Sequence, residues 1–304
     1  MTNTLTDSLM KLSVLPNPIR LHELVALEQG YFAEQGLEPD VQWKDFYDLM
    51  GAWKDFDGAD PVDTGPAAVR AAQKATNDEI ASACQWGTLN AAGSWRGKWF
   101  RDAYAVSRHA IFVKPDSKIR SPEDLADVEI GVGWLAGSHF NVYYRLEDAL
   151  PLDQIKPIPI GGYGRRLEAL LNDEIEATSL LDPQIFMADE LGLRQIVSGE
   201  FDCLFWVDEH IADATLRAFF LALDQAEKAM QANPSKYLYL WEKCIPPEFK
   251  DREWDISSWE YGTRFVMAPY TDDKFNTTMG QIEKWGLDGY MKNKDLASTT
   301  RSCF

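Results

Sequence analysis

The stretch from Leu21 to Val41, LHELVALEQGYFAEQGLEPDV, constrains the fold of this chain more than any other. Leu21, Leu24, Val25 and Leu27 fall at helical spacing, and the pattern stops at Gly30. Tyr31 and Phe32 follow as an aromatic plug, and Gly36 turns the chain into an extended segment from Glu38 to Trp43. Lys11 to Pro18, KLSVLPNP, reads as a short strand running into a proline-broken loop directly before the helix. Strand, loop, helix and strand form a βαβ crossover whose loop lies at the C-terminal edge of the first strand. Small ligands bind at such edges.

These pieces, with the motifs A-x-E-x-G-Y-F from Ala26 and G-L-x-x-x-V from Gly36, resemble the opening of the two-lobed solute-binding proteins for sulfonates, taurine, nitrate and thiamin-pyrimidine precursors. Three later segments extend the resemblance in order. Asp57 to Gly65 (DGADPVDTG) looks like that family's G-x-x-D-x-G segment. Ala110 to Val132 looks like its strand, SKIRSPEDL-type turn and next strand, and Leu167 to Pro183 resembles the helix, turn and strand of the second lobe. The resemblance implies an α/β, periplasmic-binding-protein-like fold of two lobes, each a mixed sheet flanked by helices, with a ligand cleft between them. Lobe I is expected to comprise residues 1–108 and 200–304, and lobe II residues 109–199. Two strand crossovers would join separate sheets, and the lobes would close on the ligand by hinge motion. A hydroxybiphenyl-sulfinate desulfinase and a thiamin-pyrimidine synthase belong to the same superfamily, so the fold leaves binding and catalysis both open.

A chain of 304 residues suffices for two lobes with their own cores. A net charge of −18 excludes the basic patch that nucleic-acid binding requires. No apolar run approaches the ~20 residues of a membrane helix. The start MTNTLTDSLMKLSV has no basic region followed by an apolar one, so the chain reads as cytoplasmic as it stands, and as periplasmic or lipid-anchored if a leader preceded it. A transporter permease is an expected partner in the exported case. Cys84, Cys203, Cys244 and Cys303 lack metal-ligand spacing with His22, His109, His139 and His210, so neither a metal nor a cofactor is expected.

Gly133 to His139, GWLAGSH, is the best polar-ligand cradle in the sequence: a glycine-containing loop opening a helix from Phe140 to Leu150. No Lys or Arg lies between Gly131 and Tyr144, so backbone donors near Gly137, Ser138 and His139 are expected to hold the ligand's most electronegative group. Arg165 and Arg166 are the nearest competing cations. Thr64 and Gly65 precede a helix from Ala67 to Ala75. Ile80 to Trp86 reads as a strand, followed by a polar loop over Asn90 to Arg101. Trp86 and Trp134 fall at strand ends where either could stack on a flat ligand. Asp182, before Pro183, would accept from an amine or serve only as a helix cap. Asn17 stands where an ungapped match places the desulfinase's nucleophilic cysteine. An amide cannot form a thiolate-based intermediate, so Asn17 is expected to hydrogen-bond instead. The synthase's cysteine-rich run and substrate histidine also have no counterpart.

The leading expectation is binding of a small aromatic or anionic molecule by Asn17, Thr64, Gly65, Trp86, Trp134, Gly137, Ser138, His139 and Asp182. The alternative is a cytosolic lyase or hydrolase acting on a small carboxylate, sulfinate or heterocycle. There His139 and Asp182, facing each other from adjacent strand ends, would be the acid–base pair, with His22 and Cys84 as outside candidates.

Overall fold

A computed structural model describes residues 9–50, 68–69, 72 and 79–304. The opening unit is the expected crossover. Strand β1 (Met10–Leu15), helix α1 (Leu21–Glu28), the short helix α2 (Tyr31–Glu34) and strand β2 (Leu37–Val41) follow in order. β1 and β2 pair in parallel, with Met10 opposite Leu37 and Val14 opposite Val41. Gly30 and Gly36 adopt φ of +75° and +77°, a left-handed backbone that glycine enters without a Cβ penalty. Phe32 of the aromatic plug stacks on Phe219 with ring centroids 5.3 Å apart. β2 ends at Val41, short of Trp43, because helix α3 (Trp43–Met50) claims the next residues.

Strand β3 (Ile80–Cys84) is two residues shorter than the sequence predicts, and helix α4 (Gln85–Ser94) takes over the predicted strand's end and the start of the expected loop, Asn90 to Ser94. Every residue of α4 is buried, so its sequence shows no polar face. Two of its polar side chains bond to distant backbone: Asn90 Nδ2 donates to Leu287 O at 2.7 Å and Thr88 Oγ1 to Leu204 O at 3.3 Å.

Two long antiparallel strands, β4 (Lys98–Val113) and β8 (Arg194–Val207), form the spine. Between them in sequence lie β5 (Glu129–Val132), helix α5 (Gly137–Leu146), β6 (Lys156–Pro159), helix α6 (Tyr163–Leu171), β7 (Ala177–Leu181) and helix α7 (Gln184–Glu190). The strand order is β2-β1-β3-β8-β4-β7-β5-β6, with β9 (Arg264–Val266) and β10 (Thr300–Arg301) also on β4. On one side β1, β2 and β3 are parallel and β8 runs against them; on the other, β5, β6 and β7 are parallel and β4 runs against them. Each part is thus a mixed sheet flanked by helices. The ladder nevertheless continues from one part to the other, which corrects the expectation of separate sheets. β4 and β8 are long enough to carry their hydrogen bonds across the junction, with a register shift between Phe100 and Ala105.

The long helix α8 (Asp213–Ala232) packs Phe219, Phe220 and Leu223 inward. The C-terminal remainder is largely irregular up to its last long helix. It runs through 3₁₀ turns at Pro234–Cys244, Pro247–Phe249 and Ile256–Ser258 before helix α9 (Asp272–Lys284). It also reaches beyond the expected first lobe: Trp285 stacks on Tyr143 of α5 at 5.9 Å and donates to Glu147 Oε2 at 2.7 Å.

Candidate functional site

Five helices begin just beyond the C-terminal ends of parallel strands: α1 after β1, α4 after β3, and α5, α6 and α7 after β5, β6 and β7. The two groups face each other. A Cβ added at Gly137, the first residue of α5, would lie 3.5 Å from Cys84 Cβ at the end of β3 and 3.4 Å from the Phe201 ring. The first N–H groups of a helix have no intrahelical acceptor and carry partial positive charge, so such a junction favours an anion.

The loop from Asn17 to Arg20 is held by a buried network. Asn17 Nδ2 donates to Ser82 O at 3.2 Å, and its Oδ1 accepts from Ile19 N at 3.2 Å. Glu23 accepts from Asn17 N at 2.8 Å and from Ser82 Oγ at 3.2 Å. Burial raises the Glu23 carboxyl to about 7, against the opposing pull of Arg20. Arg20 is 0% exposed, yet its guanidinium is poorly paired. Nη2 donates to Ala83 O at 3.3 Å, and Nε lies 3.8 Å from Glu23 Oε1, beyond hydrogen-bond reach. Nε and Nη1 have no hydrogen-bond partner.

A second buried guanidinium comes from the opposite group of helices. Arg166 Nη1 donates to Ser179 O at 2.5 Å and Nε to Gly162 O at 3.3 Å, and the guanidinium lies 5.2 Å from the Tyr163 ring centroid. Burial brings Arg166 down to about 10. Tyr163 is pushed up to about 12 by burial, against the opposing pull of Arg166 and then of Arg20. Gln184, the first residue of α7, is buried with both amide atoms unpartnered, and Asn141 Oδ1 of α5 is likewise unpartnered. Leaving such groups unsatisfied costs about 1–3 kcal/mol each. Two open depressions among the described residues lie elsewhere. One of about 420 Å³ is lined by Arg108, Leu238, Trp259 and Tyr261, and another of about 350 Å³ by Gln85, Tyr104, Phe201 and Lys274. The arginine cluster itself is closed over.

Of the residues expected from the sequence, Asn17 lies in this cluster, but its amide is spent on the loop and on β3. Thr64 and Gly65 lie outside the described residues. Trp86 is the second residue of α4 rather than a strand end. Its ring is stacked with Phe140 at 5.8 Å and Phe201 at 6.2 Å, and its Nε1 donates to Gln281 Oε1 at 2.7 Å, so it packs the junction instead of offering a platform. Trp134 stacks on His139 at 4.3 Å. Gly137 sits at the junction. The cradle's own donors are largely used internally. Ser138 Oγ accepts from Gly133 N at 2.9 Å, and His139 N donates to Ala136 O at 2.9 Å. His139 Nδ1 accepts from Leu135 N at 3.2 Å, which leaves the proton on an unpartnered Nε2. Burial lowers this imidazole to about 3, so it is neutral.

Asp182 is taken up by Arg108, whose Nη2 and Nε donate to its two oxygens at 3.0 and 3.1 Å. His139 and Asp182 therefore do not form the expected acid–base pair: each is committed to a different neighbour. His22 is fully buried, and burial holds it neutral. Cys84 caps α4 by accepting from Gly87 N, and burial keeps its thiol protonated. Arg165, one of the two competing cations, turns to Glu168 and Glu174. Sequence reading missed Arg20, Glu23 and Gln184. The available signal was a lone arginine directly before α1 in the otherwise apolar run PIRL. Among the described residues, no three His, Cys, Asp or Glu side chains gather as a metal site.

No family model and no curated protein matches the sequence. Solved structures do. The alkanesulfonate-binding protein SsuA from Xanthomonas axonopodis pv. citri, bound to MOPS, superposes with a TM-score of 0.66 at 15% identity, over 96% of this chain and 98% of that one. The desulfurization enzyme DszB matches with a TM-score of 0.58 at 14% identity over 96% of both chains. A conserved Candida albicans gene product described as having the generic periplasmic binding protein structural fold matches with a TM-score of 0.62 at 11% identity over 96% of both. With this topology and these neighbours, the chain has the two-lobed periplasmic-binding-protein-like fold.

Proposed function

We propose that this protein reversibly binds a small organic anion, of the sulfonate or carboxylate type, between its two groups of helix N-termini. The observation that carries the reading is Arg20: a fully buried guanidinium with Nε and Nη1 unpartnered. Burying a charge without partners is costly, and the N–H groups left open on Nε and Nη1 can each donate a charge-assisted hydrogen bond to an oxygen of a bound anion. Arg166 and Tyr163 would meet the same group from the other side, while Gln184 and Asn141 would read its polar substituents. Neighbouring structures named for alkanesulfonate and aliphatic sulphonate binding support this ligand class.

The cluster is closed over, so entry requires the parts to separate. The proposed lobes are residues 1–108 with 200–304, and 109–199, hinged on β4 and β8. Handing the ligand to a transporter permease would follow for a chain exported from the cytoplasm. Isothermal titration with a panel of MOPS, a short alkanesulfonate, sulfate and a matched carboxylate tests the reading. Saturable binding of at least one organic anion is expected, lost on substitution of Arg20. Binding that persists unchanged in Arg20→Ala would move the site elsewhere.

A further inference from the structure

β3 and β8 run antiparallel with Cys84 directly opposite Cys203. Directly opposed residues point to the same face, with Cα atoms about 4.5 or 5.5 Å apart according to their hydrogen bonding. Both separations fall within the span of about 4.4–6.8 Å that disulfides bridge. Both thiols are free and buried. Each sulfur makes one weak contact: Cys84 Sγ accepts from Gly87 N at 3.3 Å, and Cys203 Sγ donates to Ser107 Oγ at 3.3 Å. Neither Cys244, in a 3₁₀ turn, nor Cys303, near the C-terminus, has a cysteine opposite it among the described strand pairs.

We propose that Cys84 and Cys203 are a reversible dithiol–disulfide site oxidised by hydrogen peroxide. Cys84 is the attacking thiol. It caps the N-terminus of α4 and lies within the field of Arg20, and both favour its thiolate once water reaches it. The thiolate attacks one peroxide oxygen, breaks the O–O bond and becomes a sulfenic acid, and the departing hydroxide takes a proton to leave as water. Cys203 then attacks the sulfenic sulfur, forms the S–S bond, and expels a second water that carries away its proton. Two thiols are oxidised and one peroxide is reduced to two waters.

The start of α5 at Gly137 lies over Cys84, so oxidant entry rests on the lobe opening proposed above, whereas the pairing of the cysteines does not. The test is to treat the reduced full chain with hydrogen peroxide, under conditions that oxidise its thiols when unfolded, then alkylate and map the peptides by mass spectrometry. A Cys84–Cys203 cross-linked peptide is expected, with two fewer alkylatable thiols, reversal by dithiothreitol, and loss of the link in both C84S and C203S. Recovery of the two cysteines as free thiols or as separate sulfinic acids overturns the proposal, as does a link to Cys244 or Cys303. Titration of the reduced protein with MOPS in parallel keeps the two readings apart. MOPS binding without a link rejects only the redox site, and a link without binding of any anion in the panel rejects only the ligand assignment.

Discussion

Arg20 and Arg108 are two partly or fully buried arginines beside buried carboxylates, and they are built in opposite ways. Around Arg108 the polar groups are matched. Asp182 receives two hydrogen bonds from its guanidinium, Glu260 receives a third from Nη1 at 2.8 Å, and the guanidinium packs 4.6 Å from the Phe186 ring centroid. Arg108 also keeps 28% of its side chain exposed. The Arg20 guanidinium has no exposure, one protein hydrogen bond and a carboxylate just out of reach. A satisfied pair fixes structure, whereas an unsatisfied buried charge is tolerated where something else completes it. The first reads as a clamp, and under the function proposed above the second is a receptor.

The strongest way to break this contrast is Arg20→Ala. Two charge-assisted hydrogen bonds at about 1.5–3 kcal/mol each predict a loss of anion affinity of about 100-fold or more. Titration calorimetry would show it, and an unaltered affinity would make Arg20 a structural residue like Arg108. Asp182→Ala should do the reverse. It is expected to lower unfolding stability by about 2–3 kcal/mol, because Arg108 keeps only Glu260 and water, while anion affinity stays within about twofold. Urea denaturation alongside titration checks both halves, and a binding defect at full stability would exchange the roles of the two clusters.

A smaller effect concerns pH. Glu23 rises from an ordinary value near 4.5 to about 7 in the fold, burial outweighing Arg20. Between these values the folded state binds the proton more tightly than the unfolded chain, so the Glu23 contribution to stability is complete below pH 4.5 and is lost as pH rises through 7. Protonated Glu23 also leaves more of the Arg20 field to the ligand. Anion affinity should therefore fall several-fold from pH 6 to 8, with proton uptake on binding near pH 7. Calorimetry in buffers of different ionisation enthalpy reads both, and Glu23→Gln should flatten them; a wild-type profile already flat would remove Glu23 from the site's electrostatics. The smallest effect is expected at Gly137→Ala. The added methyl would meet Phe201 and Cys84 at 3.4–3.5 Å, an ordinary contact distance, so stability should change by less than about 0.5 kcal/mol. A large loss would show that the junction is packed more tightly than this geometry implies.

How much of this was legible beforehand differs between the scaffold and the site. The crossover from Met10 to Val41 was legible because its apolar spacing, its proline loop and its two left-handed glycines are local signals. Helix α4 was not, since burial on every side removes the polar face that marks a helix, and its Gly, Asn and Ser residues imitate a loop. GWLAGSH was correctly placed at a helix start, yet its Ser and His side chains turn inward to bond Gly133 and Leu135. Such choices depend on neighbours five or fewer residues away but on rotamers that composition does not record.

The sequence by itself determined the layered α/β pattern, the order of its units and the placing of helix starts at strand ends, because those follow from periodicity and turn chemistry within short windows. Only the tertiary structure decided which charges are satisfied. Arg108 finds Asp182 across 74 positions, and the backbone of Arg20's neighbourhood is drawn from β3 more than 60 positions away. Whether a guanidinium is a clamp or a receptor depends on the count of acceptors within about 3 Å of it, and that count is fixed by packing between distant segments.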